Sequence, residues 1–253
     1  MLTAAGRPSA AVIGATGGIG AAITAELART HDVWATARQP GATGQLGAGI
    51  RPWRLDLAAP AAEVSVPAEL ESLAVLVLAA GAWSAGPVAA ATDDDWHDTF
   101  AVNLFGQVAV TRALLPALRR GRGRVIVINS TAVQGSPGGR SAYTASKAAL
   151  DVFARALHEE ERDNGVQVSN IYPGRVATDM QKAVAISEGG AYVPERCLSP
   201  EAVAQTVRFV VDLAPVAHVA ELVVRPPYRS PHEPPGSQPA RDSVAFAAKN
   251  ASA

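Results

Sequence analysis

The feature that most constrains the fold is the segment AAVIGATGGIGAAITAELA, residues 10–28. It begins as a short apolar strand, passes through a glycine-rich turn and continues as an alanine-rich helix. Gly14, Gly18 and Gly20 permit a tight turn and a close approach of the backbone to a ligand. The unpaired N–H groups and the dipole at a helix amino terminus favour an anion there. The segment predicts the first unit of a dinucleotide-binding sheet, with an ordinary turn between a strand and a helix as the alternative.

Apolar, strand-like runs alternate with helical patterns along most of the chain. These runs lie at residues 10–14, 33–37, 50–55, 74–79, 124–129, 166–172 and 219–224. The alternation predicts an α/β fold, a doubly wound parallel sheet with right-handed crossovers and helices on both faces. Little regular helix is expected in the glycine-rich crossover 39–49. Two long helices are expected at 93–119 and 141–163, and Pro116 should kink or end the first of them.

Ser130, Tyr143 and Lys147 form a second pattern, because the tyrosine precedes the lysine by four residues and follows the serine by thirteen. The run SAYTASKAALDVFARALHEEE predicts a helix, in which positions i and i+4 share one face. The ammonium can therefore reach the phenol and favour its phenolate. Ser130 ends the apolar run RVIVINS, at the carboxyl end of a strand where ligands bind in open sheets. Taken alone, the pair could be a half-buried tyrosine beside a solvated lysine, and the serine could cap a turn.

Six motifs occur in the order of a known family. They are GATGGIG at 14–20, AAG at 79–81, Asn103, Ser130, YTASK at 143–147 and PGRVAT at 173–178. This order resembles the short-chain dehydrogenase/reductase family, over residues 9–225. The resemblance implies a single Rossmann-like domain, which we place at residues 1–228. It also implies that the protein binds NAD or NADP and transfers hydride to or from a carbonyl or alcohol carbon.

The resemblance implies a role for each residue of the catalytic set. Tyr143 would be the general acid or base, Lys147 would lower its pKa and hold the nicotinamide ribose, and Ser130 would polarise the substrate oxygen. Asn103 matches the helix asparagine that holds a water in a proton relay to the lysine. Without the family context, Asn103 would be a polar helix residue with a satisfied amide.

The resemblance also implies which residues contact the cofactor. These are Gly14, Thr16, Gly18, Ile19, Gly20, Arg38, Asp56, Leu57, Ala80, Gly81, Asn103, Tyr143, Lys147, Pro173, Gly174, Val176 and Thr178. Asp56 would bond the adenine edge, with a helix cap or turn residue as the alternative. Thr178 would contact the nicotinamide carboxamide, with a simple turn as the alternative. The chain departs from the family at Ile13, where a threonine is usual, and at Leu78 and Ala79, where two asparagines are usual. We expect a changed local hydrogen-bond pattern there rather than lost chemistry.

The end of the second strand favours NADP over NAD. An NAD site usually places Asp or Glu about twenty residues beyond the glycine loop, whereas a nearby arginine accommodates the 2′-phosphate of NADP. The strand ends VWATARQ, so Thr36 and Ala37 offer no carboxylate and Arg38 follows at once. Gly17 stands where NADP-using relatives often carry Arg or Lys, so NAD stays possible.

Composition excludes several other classes of protein. The 253 residues are 48% hydrophobic, enough for a sizeable core, and a net charge of −1 provides no basic field for nucleic acid or anionic membrane. Cys197 is the only cysteine, so no internal disulfide can form, and the spacings of metal sites are absent. No signal-peptide pattern or long apolar run occurs, so we expect a soluble, cytoplasmic protein. Residues 229–253 are rich in Pro, Ser and Ala and predict a disordered tail.

Substrate preference is expected in the segment 179–198, which in relatives covers the pocket. Gly189 and Gly190 would allow this segment to hinge over the substrate. An apolar wall is expected from Met180, Val184, Ile186 and Tyr192, and the polar residues that border the pocket are Gln134, Arg140 and Arg175. Arg175 could face an acidic substrate or the cofactor phosphates, and a solvated arginine is the alternative.

These patterns together predict an NADP-preferring carbonyl reductase or alcohol dehydrogenase of small, mostly apolar substrates. By resemblance it would form a homodimer or homotetramer. The rival hypothesis from another class is a catalytically silent, cofactor-sensing binding protein on the same fold. Retention of all four catalytic positions counts against it, because a pure binder does not need them. A nucleotide-sugar epimerase or dehydratase draws support only from the glycine spacing and would need a larger substrate domain.

Overall fold

The computed structural model describes residues 6–39, 49–59 and 64–227. Seven parallel strands form one sheet in the order β3-β2-β1-β4-β5-β6-β7. Their bounds are β1 Ser9–Ile13, β2 Asp32–Ala37, β3 Ile50–Arg54, β4 Val75–Leu78, β5 Arg124–Ile128, β6 Gln167–Pro173 and β7 Glu221–Val224. The central strands β1, β4 and β5 are almost entirely buried, as continuous apolar runs predict for a parallel sheet.

Helices cover both faces of the sheet and make a single domain. They are α1 Gly18–Leu27, α2 Asp93–Phe100, α3 Gly106–Gly121, α4 Ala132–Gly135, α5 Ser141–Glu161, α6 Asp179–Ser187 and α7 Pro200–Val211. On one face, Leu114 of α3 and Leu150 of α5 belong to one hydrophobic core. On the opposite face, Ile23 of α1 and Val207 of α7 belong to the other. This three-layer arrangement confirms the doubly wound α/β prediction.

The strand order reverses between β1 and β4, which lie side by side at the centre of the sheet. In folds of this kind a crevice opens outside the carboxyl ends of the strands at the reversal point, and ligands bind in it. The two segments that leave β1 and β4 begin there as neighbours, since the Ala79 N–H donates to the Ile13 carbonyl at 2.9 Å. The reversal therefore places the glycine-rich loop beside residues 79–82.

The helix expected at 93–119 is present, but its irregular turn is not at the proline. Pro116 lies inside α3, which continues to Gly121, so the prediction that the proline could end the helix is wrong. A proline removes one backbone donor. Here the surrounding turns stay packed on the sheet through Leu114 and Leu118. The irregularity is instead a π-helical turn, Ala101–Phe105, which joins α2 to α3.

This continuous helical stretch, Asp93–Gly121, is the one helix of the described part of the chain that is long and apolar enough to cross a membrane. Its most apolar window has a mean hydropathy of 1.3, and half of that window is buried inside the fold. A core helix that packs on the sheet of a fold like this one is also long and apolar. The length and composition of this helix are therefore weak evidence for a membrane span.

The sequence-based strand bounds agree with the observed ones to within two residues at each end. Periodicity succeeds here because the buried strands are continuous apolar runs between polar or glycine-containing turns. The domain boundary expected at residue 228 and the predicted tail 229–253 lie outside the described residues, as does most of the crossover 39–49.

Candidate active site

The glycine-rich loop packs at backbone contact with the segment after β4. Gly14 turns the chain with a φ of +85°, and a methyl group there would lie 2.7 Å from the Ala80 backbone. Its N–H donates to Thr36 Oγ1 at 2.9 Å, which attaches the loop to β2. A methyl group at Gly20 would lie 2.0 Å from the Gly14 carbonyl oxygen. The loop, α1 and residues 79–82 therefore form one tightly packed rim of the crevice.

Lys147 and Asn103 meet beside Gly81 at this rim. A Cβ atom on Gly81 would lie 3.7 Å from Lys147 Nζ and 3.6 Å from Asn103 Oδ1. The ammonium donates to the Ile128 carbonyl oxygen, at the end of β5, over 3.0 Å. Ser130 follows two residues later on the same strand exit. Burial lowers the pKa of Lys147 to about 8, because a low-dielectric site disfavours the charged form.

Asn103 connects this rim to the helix that carries the tyrosine and lysine. The amide is fully buried. Its Oδ1 accepts from the Ala82 N–H at 2.7 Å, and its Nδ2 donates to the Ala82 carbonyl at 3.0 Å. The same Nδ2 donates to Ser146 Oγ at 2.9 Å, and Ser146 in turn donates to the Tyr143 carbonyl at 2.7 Å. Asn103 thus fixes the position of α5 relative to β4, a structural role beyond the predicted water site.

Tyr143 is buried at the start of α5, between Ser130 and an aromatic neighbour. Trp83 packs against the phenol ring edge to face, with ring centroids 5.0 Å apart. Burial is the largest effect on the phenol and raises its pKa, while Ser130 and then Arg140 act in the opposite direction and lower it. Burial thus favours the neutral phenol, which can donate a proton.

The Lys147 ammonium donates to a backbone carbonyl, that of Ile128. The resemblance assigns to Lys147 the lowering of the Tyr143 pKa, and this role stays a prediction. Arg140, directly before α5, is a second cation, and it also lowers the Tyr143 pKa. Periodicity brings Lys147 to the same face of α5, but it does not determine where the ammonium donates.

Gln107 is a supporting residue that the sequence reasoning missed. It is fully buried, and its Nε2 donates to the Ala80 carbonyl at 2.9 Å. Leu78 and Ala79 stand where asparagines are usual, so this contact is part of the changed hydrogen-bond pattern expected there. A glutamine four residues after Asn103, in an otherwise apolar helix, is the signal that could have indicated it.

Comparison with known proteins decides the family. The family model described as short chain dehydrogenase matches residues 8–189. The chain belongs to the short-chain dehydrogenase family. It is 36% identical over 196 residues to an NADPH-dependent 1-acyldihydroxyacetone phosphate reductase of Saccharomyces cerevisiae, with 72% of this chain and 66% of that relative, just under two thirds, covered. It is 32% identical over 224 residues to an NADP-dependent 3-hydroxy acid dehydrogenase of Salmonella typhi, with 82% and 90% covered.

A solved structure agrees with the family assignment. The closed form of serine dehydrogenase complexed with NADP+ superposes with a TM-score of 0.76 at 28% identity, covering 85% of this chain and 94% of that one. The chain is therefore a short-chain dehydrogenase/reductase enzyme in both sequence and fold.

The rim of this short-chain dehydrogenase fits a dinucleotide. Helix α1 begins at the loop, and its first turn carries no acidic side chain that would repel a pyrophosphate. A methyl group at Gly18 would lie 2.8 Å from Thr178 Cγ2, so the loop after β1 and the loop after β6 face each other across the crevice. Thr16 and Ile19 lie in the loop and the first turn of α1. Arg38 is exposed directly after β2.

The remaining predicted cofactor residues occupy the same edge of the sheet. Asp56 is exposed after β3, and one of its carboxylate oxygens accepts from the Ala58 N–H at 3.0 Å in a local turn. Leu57 packs against Gly106, where a Cβ would lie 2.4 Å from the Leu57 carbonyl oxygen. Thr178 caps α6 by accepting from a backbone N–H. The other loop residues at the end of β6 and just beyond it are Pro173, Gly174 and Val176.

The segment after Thr178 contains α6 and differs in part from the expected apolar wall. Met180 Cε would lie 3.8 Å from a Cβ on Gly81, so this side chain borders the site. Val184 is buried in the fold, whereas Ile186 is 76% exposed and contributes nothing to a wall. Gly189 has a φ of +70° and follows the end of α6 in a left-handed turn.

Each polar residue expected around the pocket bonds to a residue outside the expected set. Arg175 is paired with Glu188, because its Nη2 donates to Glu188 Oε2 at 2.7 Å. Arg140 also donates to Glu188. Gln134 accepts from Arg225 at 2.7 Å. Within residues 6–39, 49–59 and 64–227, no group of three or more His, Cys, Asp or Glu side chains is arranged to hold a metal ion.

Proposed function

We propose that this enzyme interconverts a carbonyl and an alcohol on a small, mostly apolar substrate, with NADP(H) as cofactor and Tyr143 as general acid and base. The observation that carries the proposal is twofold: Lys147 and Asn103 lie beside Gly81 next to the glycine-rich loop, and Ser130 is hydrogen-bonded to the Tyr143 phenol at the start of the same helix α5. A proton donor, a hydrogen-bonding hydroxyl and a cation next to a nucleotide-binding turn are what carbonyl reduction requires.

When bound, NADPH supplies the hydride for the carbonyl carbon. The chain's own residues handle the proton. Tyr143, kept neutral by burial, donates the phenol proton to the carbonyl oxygen, and the product is a hydroxyl group. Ser130 orients that oxygen by donating to it. Lys147, with a pKa of about 8, is near the optimum for returning a proton to the phenolate at neutral pH. In the oxidative direction each proton moves the opposite way.

NADP is the cofactor that this chain's charges favour. Arg38 is the first residue after β2 and its side chain is exposed, so it can approach a 2′-phosphate. An NAD site would carry a carboxylate near the position of Thr36. In this chain the Thr36 hydroxyl instead accepts from the Gly14 N–H. Two relatives carry NADP or NADPH in their names, and a structural neighbour holds NADP+.

The side chains around the phenol support a mostly apolar substrate. Trp83 packs against Tyr143, and Met180 borders the space beside Gly81. The nearby charges of Arg140, Arg175 and Glu188 are engaged with each other. The named relatives act on acidic or phosphorylated molecules, so 3-oxo acids and acyl ketone phosphates belong in the substrate panel beside neutral ketones.

A second copy of the chain is the partner we propose, in the cytoplasm. Phe105 and Val152 are exposed by 60% and 59%, and they belong to the π-helical turn and α5, two segments in contact. Covering these apolar side chains is favourable. Light scattering after size exclusion should give the mass of a dimer or tetramer at micromolar concentration, and a monomer mass would contradict the proposal.

The proposed activity is tested by titrating purified protein with NADPH and with NADH, followed by cofactor oxidation against the substrate panel. Tighter NADPH binding and its oxidation by a ketone or aldehyde support the proposal. Cofactor binding without turnover on any class would instead support the sensing protein. Tighter binding of NADH would contradict the choice of NADP alone.

A further inference from the structure

A cavity lies at the amino ends of the strands, on the edge of the sheet opposite the active site. Its volume is about 590 Å³, within the range of small-molecule sites. The lining includes Val75, Arg124 and Gln167, which are the first residues of β4, β5 and β6. A strand of five residues such as β5 spans roughly 15 Å. The cavity is therefore separate from the crevice that holds the glycine-rich loop.

The lining of this cavity is basic. None of the described residues that line it is Asp or Glu. Two acidic residues that neighbour the lining along the chain bond to arginines outside it, since Glu161 pairs with Arg119 and Asp212 with Arg208, each at 2.6 Å. A cleft lined by one sign of charge concentrates the field within it, so this cavity attracts anions. Its basic residues are His31, Arg122, Arg124, His158, Arg162 and His218.

Two of the three arginines form no ion pair within the described part of the chain. Arg124 donates to the carbonyl oxygens of Val210 and Leu213 at 3.1 and 2.7 Å, which fixes its guanidinium at the end of α7. Burial lowers the pKa of Arg124, because a low-dielectric site disfavours the charged form. Arg122 follows α3 directly, and its Cγ would lie 3.2 Å from a Cβ on Gly165, so its stem crosses the turn before β6. Both charges at the cavity are therefore uncompensated, whereas Arg162 is paired with a glutamate.

The histidines of the cavity add a buried atom that lacks a hydrogen-bond partner. His158 of α5 stacks on His218, with ring centroids 4.2 Å apart. His218 Nε2 donates to the Val168 carbonyl at 2.8 Å, which fixes the second ring. Among the described residues, His158 Nδ1 is buried and has no partner, and the same is true of Gln167 Oε1. Buried polar atoms in folded proteins are seldom left unpaired. A ligand that accepts from the imidazole and donates a hydroxyl to the amide oxygen would satisfy both.

We propose that this basic cavity binds a phosphate group, either as the free ion or as the phosphomonoester of a small metabolite. Arginine is the side chain best suited to phosphate, because its planar fork donates two charge-assisted hydrogen bonds. Arg122, Arg124 and His158 line the cavity from the turn after α3, the start of β5 and the end of α5. A tetrahedral phosphate accepts from three such directions, whereas a planar carboxylate is matched by one arginine. The site is additional to the proposed reaction and does not depend on it.

The test is isothermal titration calorimetry of the purified full-length protein with inorganic phosphate and with glycerol 3-phosphate. NADPH is present throughout, so that the glycine-rich loop is occupied, and the ionic strength is held constant. We expect one site per chain for each probe. R122Q and H158Q should each weaken binding about tenfold, because each removes a hydrogen bond to a charged group. R112Q is the matched control, since Arg112 is exposed on α3 outside the cavity and its loss changes the net charge by the same amount.

The two probes distinguish the two sources of the phosphate group. Tighter binding of glycerol 3-phosphate identifies a phosphomonoester as the ligand, and equal or tighter binding of inorganic phosphate identifies the free ion. Absence of binding by either probe would overturn the inference, and so would equal weakening in R112Q and R122Q, which indicates unspecific attraction. Binding that R122Q and H158Q leave unchanged would also overturn it, because the phosphate would then lie elsewhere. H158Q decides the matter where R122Q does not fold, as judged by circular dichroism.

Discussion

Substitution of Gly20 by alanine tests the packing of the glycine-rich rim with one methyl group. The added carbon would lie 2.0 Å from the Gly14 carbonyl oxygen, 2.8 Å from the Gly14 carbonyl carbon and 3.2 Å from the Ala15 Cα. Ordinary non-bonded carbon contacts are about 3.5–4.0 Å, so backbone must move by more than about 1 Å. Gly14 resists that movement because its N–H is bonded to Thr36.

The magnitude follows from two opposing effects. Overpacking of this kind costs about 1–3 kcal/mol and occasionally more, and a clash with backbone atoms belongs at the upper end. Because Gly20 lies within α1, the higher helix propensity of alanine stabilises the folded state by about 1 kcal/mol. We therefore expect Gly20→Ala to lower the free energy of unfolding by about 2 kcal/mol, because the clash exceeds the propensity gain. It should also weaken NADPH binding at least tenfold, about 1.4 kcal/mol.

Gly17→Ala is the matched control in the same loop. Gly17 has a φ of −78°, and the nearest neighbour of an added Cβ is the Gly14 carbonyl oxygen at 3.6 Å, an ordinary contact. The entropy of the unfolded chain favours alanine by about 0.4–1 kcal/mol, and loss of glycine at the helix N-cap opposes it by a similar amount. Urea denaturation of the two variants measures the difference. A Gly20→Ala protein as stable as Gly17→Ala would refute the packing argument.

Three further substitutions test the cofactor choice, the buried amide and the effect of pH. Arg38→Ala should weaken NADPH binding about tenfold and leave NADH unchanged in fluorescence titrations, since it removes the cation for the 2′-phosphate; an equal loss for both cofactors would contradict this. Asn103→Ala leaves the Ala82 N–H and carbonyl unpaired and should cost about 3 kcal/mol in urea, whereas Ser146→Ala loses fewer bonds and should cost about 1 kcal/mol; equal losses would be inconsistent with the amide's role. Burial, and then the neighbouring His218, lower the pKa of His158 below 6.5, so the folded state favours the neutral imidazole. The stability that this gives the fold is fully present above pH 6.5 and is lost as the pH falls through the lowered pKa. His158→Gln should flatten the fall in Tm between pH 7.5 and 5.5, and an unchanged slope would count against this assignment.

The sequence predicts those parts of the site that depend on residues close together in the chain. Tyr143 and Lys147 share a face because they are four residues apart on a helix, and Ser130 reaches them because it follows a buried strand. The glycines could be assigned because a strand, a tight turn and a helix follow at once. The parallel, doubly wound sheet could be predicted because strands and helices alternate along the chain, whereas its strand order comes from the structure.

The contacts that could not be predicted join segments far apart in the chain. Arg140 bonds Glu188 across 48 residues, and Asn103 bonds Ser146 across 43. No periodicity connects such positions, since their meeting depends on how α5 and α6 pack on the sheet. The direction of the Lys147 ammonium is of the same kind, because it depends on which buried carbonyl is nearest. The helix continues past Pro116, contrary to one of the two predicted outcomes, because its neighbours Leu114 and Leu118 pack on the sheet and outweigh the loss of one helix hydrogen bond.

The measurement that tests the central claim most directly is turnover and NADPH affinity of Tyr143→Phe against the wild type, once a substrate is found. Tyr172→Phe is the control, since its hydroxyl donates to Asp151 rather than to the site. We expect Tyr143→Phe to bind NADPH as tightly as the wild type and to lose about 10²–10⁴-fold in kcat, the usual worth of a general acid. Unchanged turnover in Tyr143→Phe would contradict the account, because the proton would then come from another group.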